Sequence, residues 1–398
     1  MMRRTAMNNE IITGDVRETL PELPASSVHM CMTSPPYFGL RDYGDDEQIG
    51  LEESLDEYIS ELVGVGDALR RVLRDDGSWW LNLGDSYAGS GRGAWDKDEQ
   101  KESWAFNGGK APERDTNLKR KNKMLVPHRV AIALQEAGWV VRNDVTWLKP
   151  NPMPQSVKDR LNTTTEQIFH LTPQPDYWYD LDAIREPHAG SSMQRITQNN
   201  GNPVNNPEDV NHPDGMHNFN PDELCHPAGK NPGDVFEITT KPFPDAHFAV
   251  YPPALCEKPI KASCPPQVCV DCGAPYEREV EKTGEFRTTE RGDRTVPEKT
   301  NHGENAPEGK VGTQVREFKG WSQTCDCDTD DTEPGIVLDP FAGAGTTLLK
   351  AKELGRRFVG IELNPEYADM ARSRIGLDVD DPSRFRDDDA QQGFEAYQ

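Results

Sequence analysis

Ile336-Val337-Leu338-Asp339-Pro340-Phe341-Ala342-Gly343-Ala344-Gly345-Thr346-Thr347 is the stretch that decides the fold. An apolar run ending in an acid reads as a buried strand. The glycines after it let the backbone approach a ligand closely, and a helix N-terminus follows directly, from Thr346 to Leu354. The turn lacks the third glycine of the dinucleotide fingerprint, and no Gly-Lys-Thr/Ser is present, so it is neither that motif nor a phosphate loop. The next strand, Arg357 to Glu362, ends in an acid placed to accept hydrogen bonds from ribose hydroxyls, as in other α/β folds. Asn364-Pro365 opens a last helix through Ile375.

Working outward, strands alternate with helices along most of the chain. Glu10 to Asp15 reads as a strand ending in an acid, and Ser27 to Met32 as a buried strand stopped by Pro35-Pro36. Leu55, Ile59, Leu62, Val63, Leu69 and Val72 recur at helical spacing, and Gly77 is expected to close that helix region. Strands are predicted over Ser78 to Leu83, Val140 to Leu148, Gln167 to Leu171 and Asp234 to Ile238, with a helix over His128 to Ala137. Such alternation predicts a mostly parallel sheet covered on both faces. Residues 87–123 are Gly-, Lys- and Asp-rich and read as a mobile loop; 186–234 and 277–320 are polar stretches without periodicity.

The nine residues Asp339 to Thr347 resemble the S-adenosylmethionine motif of the amino-group DNA methyltransferases, the N4-cytosine and N6-adenine family. A second segment, Thr33-Ser34-Pro35-Pro36-Tyr37, carries chemistry that fits. The lone pair of an exocyclic base amine is delocalised into the ring, so acceptors must draw its hydrogens for that lone pair to meet a methyl sulfonium. Ser34 Oγ and the Pro35 carbonyl can accept, and Pro35 and Pro36 stiffen the backbone and remove competing N–H donors. Tyr37 offers a stacking face to a base flipped out of a duplex. Catalysis of this kind is positioning and electrostatics, with no covalent intermediate. The segment is similar to the family's (Ser/Asp/Asn)-Pro-Pro-(Tyr/Phe) motif. With the catalytic segment N-terminal and the cofactor segment C-terminal, the order resembles the family's β group.

The resemblance implies further roles. Asp15 matches the acid that contacts the cofactor's adenine amine; Phe248 and Pro252, within His247 to Pro252, would flank its methionine part. Asp339, Phe341, Gly343, Gly345, Thr346, Glu362 and Asn364 complete the expected cofactor set, and Ser34, Pro35, Pro36 and Tyr37 the catalytic one. Trp80 to Tyr87 and Trp147 to Pro152 look like strand ends lining the base pocket. Serine at the first motif position points to the N4 of cytosine, with the N6 of adenine as the alternative.

Composition bounds the rest. Hydrophobic residues make up 34% of 398, a real core diluted by polar insertions. The absence of a long apolar run or a cleavage-site pattern leads us to expect a cytoplasmic protein. The net charge of −24 is unusual for a nucleic-acid enzyme and reads as salt adaptation of the whole surface. Lys119-Arg120-Lys121-Asn122-Lys123 opposes that trend and could face phosphate. Among eight cysteines, Cys269-Val270-Asp271-Cys272-Gly273 and Cys325-Asp326-Cys327 suit a tetrahedral structural zinc, while Cys264, before two prolines, is left out. The expected fold is α/β: a permuted Rossmann-like methyltransferase sheet with an inserted target-recognition region and a small zinc-ribbon-like insertion. Its parts are the catalytic half 1–185, the polar target-recognition insert 186–234, the segment 235–262 before the cofactor motif, the zinc-ribbon-like insertion 263–330, the cofactor half 331–376 and an acidic tail 377–398. The expected partners are double-stranded DNA and, where one exists, a cognate restriction enzyme.

Overall fold

The structure is a computed structural model that describes residues 7, 9–39, 48–89, 116–188, 226, 228–240, 250–287 and 313–377. Phe248, Cys225, the tail after 377 and most of the 186–234 insert therefore lie outside the described residues. In chain order the strands are β1 (Glu10–Thr13), β2 (Val28–Thr33), β3 (Leu73–Leu83), β4 (Val140–Leu148), β5 (Thr165–Thr172), β6 (Val235–Glu237), β7 (Val268–Cys269), β8 (Glu277–Arg287), β9 (Thr313–Ser322), β10 (Thr332–Glu333), β11 (Ile336–Asp339) and β12 (Arg357–Glu362). The helices are α1 (Val16–Glu22), α2 (Leu55–Val72), α3 (Val126–Glu136), α4 (Ala254–Ser263), α5 (Thr346–Glu353) and α6 (Pro365–Ile375).

Eight strands form one sheet in the order β1-β12-β11-β2-β3-β5-β4-β6. All neighbours are parallel except β5, which runs antiparallel to both β3 and β4. The exception has a plain cause: β4 and β5 are joined by residues 149–164 at one sheet edge, without the crossover helix that parallel neighbours require. Neighbouring side chains on β3 point to opposite faces, and the two halves of the core follow. Trp79, Leu81 and Leu83 pack with α1, α2 and α3, whereas Trp80 packs with α4, α5 and α6. A capping box between Ser54 and Glu57 starts α2, and Asn364 caps α6 by accepting from the Glu366 and Tyr367 amides.

Two expectations are corrected, Gly77 and the stretch after Tyr276, and a third lies largely outside the described residues. Gly77 does not close a helix: α2 stops at Val72, and Gly77 lies inside β3. A Cβ there would meet the Arg74 and His29 carbonyls at 3.0 Å, so close backbone approach requires the glycine. The segment read as a loop over 87–123 is anchored at its ends by an antiparallel bridge, Tyr87 to Lys123, and its centre, 90–115, lies outside the described residues. The polar stretch after Tyr276 contains the antiparallel pair β8–β9, on whose surface the Arg278 guanidinium lies over Phe318 and Trp321 at 4.8 and 5.0 Å.

Two edges of the sheet matter for function. At the carboxyl edge, β1, β12, β11, β2 and β3 all end in turns. β11 connects through α5 to β12 on one side, and β2 connects through α2 to β3 on the other. The pair β11–β2 is thus a topological switch point, where crevices form outside the strand ends. At the opposite edge, His29 at the start of β2 is buried between two partners. Its Nδ1 accepts from the Ile336 amide at 3.0 Å, which leaves the proton on Nε2 to donate to the Gly273 carbonyl at 3.1 Å. Gly273 follows Cys272, so this histidine fastens the cysteine knuckle to the strand that carries the glycine turn.

Candidate active site at the carboxyl edge of the sheet

The glycine turn is held from beneath. Asp339 is 1% exposed; its Oδ1 accepts from Thr33 Oγ1 at 2.6 Å and from the Phe341 amide at 3.1 Å, and its Oδ2 accepts from Tyr251 at 3.2 Å. Burial pushes this carboxyl up, and the Thr33, Thr347, Phe341 and Tyr251 donors work against that shift. Asp339 thus braces the turn from within, and Thr33 is the residue just before Ser34. Gly343 and Gly345 both take left-handed backbone, with φ of +50° and +72°. Behind Gly345 a Cβ would meet Ala371 and Ile375 at 3.0 Å, so α6 packs where a side chain would stand; a Cβ on Gly343 would meet nothing within 4 Å. The turn is closed on its core side and open at Gly343. Thr346, 2% exposed, accepts from Arg374 and serves the helix start.

Two acids flank this opening. Glu362 Oε2 accepts from the Gly343 amide at 2.7 Å and Oε1 from the Asn364 amide at 3.0 Å. Burial, with a contribution from the charge of Asp339, raises its pKa despite those amides. Asp15 caps α1 and accepts from the Arg17 amide at 2.7 Å and from the Arg17 guanidinium. Burial opposes its ionisation, but Arg17 outweighs it and holds the carboxyl below its usual range. Pro252 is buried beside Tyr251, whose hydroxyl also bonds Thr347. Phe341 is half-buried on the turn. Asp15, Glu362 and the Gly343 turn are therefore brought to one edge, where the two carboxylates are the acceptors that an adenosine amine and ribose diol require, and the residues fit that group.

Across the switch point, Ser34 and Tyr37 belong to a hydrogen-bonded cluster with three residues the sequence did not single out. Tyr37 donates to Glu166 Oε2 at 2.8 Å, and Ser34 Oγ donates to the Tyr37 oxygen at 3.1 Å. Asn82 Nδ2 lies 2.9 Å from the Tyr37 oxygen, 3.0 Å from Glu166 Oε2 and 3.3 Å from Ser34 Oγ. Lys149 Nζ bonds Glu166 Oε1 and lies 4.4 Å from the centre of the Trp147 ring. Asn82 Oδ1 is buried with no partner among the described residues. Asn82 and Lys149 occur in segments expected to line the pocket, but the tryptophans of those segments are core: Trp80 stacks on His170 at 4.3 Å and donates to Ser263, and Trp147 donates to the Ile238 carbonyl. Glu166 gave no local signal beyond an acid at a strand start.

The carboxylate sets the direction of the hydrogens nearest to it. A carboxylate ion only accepts, so Tyr37 must donate to Glu166 and the Asn82 amide must turn its NH2 that way. Tyr37, having donated, accepts from Ser34, and the Ser34 oxygen then presents only lone pairs outward. Burial first, then the charge of Glu166, pushes the Tyr37 hydroxyl well above its ordinary pKa, so it keeps its proton. The Tyr37 ring is seated against Gly84, where a Cβ would come within 2.4 Å of Tyr37 Cε2. Pro36 is held by Tyr58, which donates to its carbonyl at 2.9 Å.

The four expected metal ligands also come together. One ligand atom from each of Cys269, Cys272, Cys325 and Cys327 lies within 4.8 Å of all the others. Four soft thiolates at such spacing are the donor set of a closed tetrahedral zinc site, in which sulfurs sit about 2.3 Å from the metal. Gly273, at φ +70°, turns the knuckle, and Cys264 is buried apart from the cluster.

A mostly parallel sheet with turns on both sides of a switch point, one of them Ser-Pro-Pro-Tyr, is an α/β ligand-binding fold. The sequence matches the DNA methylase profile over residues 28–272 and 331–373, and the chain belongs to this family of S-adenosylmethionine-dependent N6/N4 amino methyltransferases. Two similar relatives are the type II methyltransferases M.SmaI of Serratia marcescens (34% identical, covering 92% of this chain and 90% of its own) and M.Cfr9I of Citrobacter freundii (33%, 92% and 87%). A solved structure, the PvuII DNA methyltransferase (cytosine-N4-specific), shares the fold at 15% identity, covering 95% of this chain and 89% of its own, with a TM-score of 0.50. Among the described residues no helix is long and apolar enough to cross a membrane.

Two outcomes follow for Tyr37. Because its pKa is raised, the neutral hydroxyl survives as pH climbs, and single-turnover rates measured up to about pH 9 are expected to show no alkaline fall. Gly84→Ala pushes on the tyrosine ring and is expected to lower kcat about tenfold while the Kd for the cofactor, by calorimetry, stays unchanged.

Proposed function

We propose that the chain methylates the N4 of cytosine in double-stranded DNA, with Ser34 as acceptor for the base amine and the Asp15–Gly343–Glu362 edge as the seat of the methyl donor. S-adenosylmethionine, when bound, supplies a methyl group on a cationic sulfur. Glu362 would accept from its ribose hydroxyls, Asp15 from its adenine amine, and Pro252 and Phe341 would contact its apolar parts; Asn364 and Thr346 serve the backbone around it, and Asp339 holds the turn. Phe248, outside the described residues, keeps the role its motif implies.

The observation that carries the reading is the set direction of the hydrogen bonds from Ser34 to Glu166. Forced to donate inward, Ser34 Oγ accepts from an exocyclic N–H, and the Pro35 carbonyl is the natural acceptor for the second hydrogen. Drawing both hydrogens turns the nitrogen lone pair toward the methyl group. With the donor bound, an N–C bond would form as its S–C bond breaks, and the proton lost by the amine nitrogen would pass to solvent. A neutral serine, adding no charge beside the ring, favours the cytosine amine; the adenine N6 is the competing target.

The test is mass spectrometry of nucleosides from plasmid DNA incubated with the protein and labelled S-adenosylmethionine, at low and molar salt. N4-methylcytosine is expected. N6-methyladenine would overturn the base, and no labelled nucleoside would overturn the DNA substrate. Glu166→Gln, whose amide can donate to Tyr37 and so releases the hydrogen-bond order, is expected to lower kcat about 10- to 100-fold with cofactor affinity intact.

The cysteine cluster is read as a structural zinc site, since it sits at the sheet edge opposite Ser34 and is tied to the fold through His29. One zinc per chain by plasma emission is expected, and Cys269→Ser should lower the thermal midpoint. A metal-free native protein of unchanged stability would rule the site out.

A further inference from the structure

Residues 116–125 and 149–164 border the amine site, and their charge is the reverse of the chain's. The first segment carries Lys119, Arg120, Lys121 and Lys123 and no acid; the second carries Lys149, Lys158 and Arg160 against Asp159 alone, in a chain of 44 basic and 68 acidic residues. The first is hooked to the turn after β3: Ala88 donates to the Asn122 carbonyl at 2.8 Å, Met124 to the Ser86 carbonyl at 3.0 Å, and Asp85 accepts from the Val126 amide at 3.1 Å. Its residues 119–123 are all exposed.

The second segment, the β4–β5 loop, leans on the first. Lys121 bonds Asp159, and the Arg160 guanidinium lies 4.0 Å above the Tyr87 ring. The loop is ordered from within: Gln155 Oε1 accepts from Arg160 at 2.9 Å and from the Thr163 amide at 3.4 Å, and Lys149 closes its base on the Thr164 carbonyl. Two large apolar side chains on it take no part in that order, for Met153 is 83% and Leu161 89% exposed. The far end of the loop runs into Glu166, the anchor of the Ser34 cluster.

We propose that these two segments form the DNA-facing rim, with Lys119 to Lys123 neutralising phosphates and Leu161 entering the helix as the wedge that fills the space left by the target base. The proposal rests on the reading of duplex DNA as substrate. A stacked base cannot bring its amine to a half-buried serine behind a strand end, so it must leave the stack. An apolar side chain that keeps the gap filled stabilises the extruded state, as wedges do between base steps. Leu161 suits this better than Met153, because its neighbour Arg160 is pinned over Tyr87, three residues from the Gly84 that seats Tyr37. The basic rim also answers how so acidic a chain holds a polyanion: it puts a favourable field on the side where the base must enter.

The test uses a duplex oligonucleotide bearing the site read from plasmid methylated by the wild-type chain. Leu161→Ala, at a position so exposed that the fold is untouched, is compared with wild type on the paired duplex and on the same duplex with an abasic site opposite the target, where no pairing holds the base in. The expected result is a loss in kcat/KM of about 10- to 100-fold on the paired duplex and a loss within about threefold on the abasic one. Equal losses on both, or none on either, would overturn the wedge. For the rim, Lys119→Gln with Arg120→Gln is expected to lower the slope of log K against log salt by about 2 for an unrelated duplex, and an unchanged slope would overturn the rim. A wild-type chain that methylates no DNA sinks the substrate reading along with the wedge; a methylating wild type with an indifferent Leu161→Ala sinks the wedge alone.

Discussion

Asp339 and Thr33 are 306 residues apart in sequence and 2.6 Å apart in the fold. That buried hydrogen bond joins the end of β11 to the end of β2, and both halves of the site depend on it. On one side Asp339 also holds the Phe341 amide and so shapes the glycine turn; on the other, Thr33 leads straight into Ser34-Pro35-Pro36-Tyr37. A buried carboxylate with three satisfied donors is costly to disturb, since loss of one partner leaves the others unpaired in a dry interior. The methyl donor and the base amine must meet within bonding distance, and the β11–β2 junction is where the chain sets that distance.

From this junction the rest of the edge is built outward by strand order. β12 and β1 bring Glu362 and Asp15 beside the glycine turn; β3 and β5 bring Asn82 and Glu166 beside Ser34 and Tyr37. Lys149, at the end of β4, pairs with Glu166 in this half-buried cluster. Direction then passes from charge to chemistry without any motion. Lys149 only donates, Glu166 only accepts, Tyr37 donates inward to Glu166, and Ser34 donates to the Tyr37 oxygen. The opposite edge is used differently: the cysteine knuckle, held by His29 and by the Arg74 bond to the Cys272 carbonyl, lies away from the reacting groups and steadies the starts of β2 and β11.

Most of the frame was legible in the sequence because its signals are local. Apolar runs ended by an acid gave β11 and β12, the glycines and Pro-Pro gave the turns, and the paired cysteines gave the cluster that folding brought together. What escaped was long-range. Glu166 looks like any acid at a strand start, and its meaning comes only from β5 lying antiparallel beside β3, a pairing local periodicity does not encode. Asp339 reads as a ligand contact in its motif, yet the fold turns it inward as a brace. Trp80 and Trp147 belong to the core, while Asn82 and Lys149 of the same two segments reach the site. Gly77 was misread for the same reason: its glycine is demanded by the His29 backbone, 48 residues earlier in the chain.

The claim that the site offers only acceptors to the target base is tested most directly by binding. A duplex carrying cytosine at the mapped target is compared with one carrying uracil there, each opposite an abasic site so that pairing does not differ. The amine of cytosine would donate to Ser34 and Pro35, whereas the uracil carbonyl would face their lone pairs. Affinity for cytosine at least about tenfold above that for uracil is predicted, as expected where a buried polar group is left unpaired. Equal affinity for both would mean that the Ser34 hydroxyl is free to turn and donate, and the account of the site would fall.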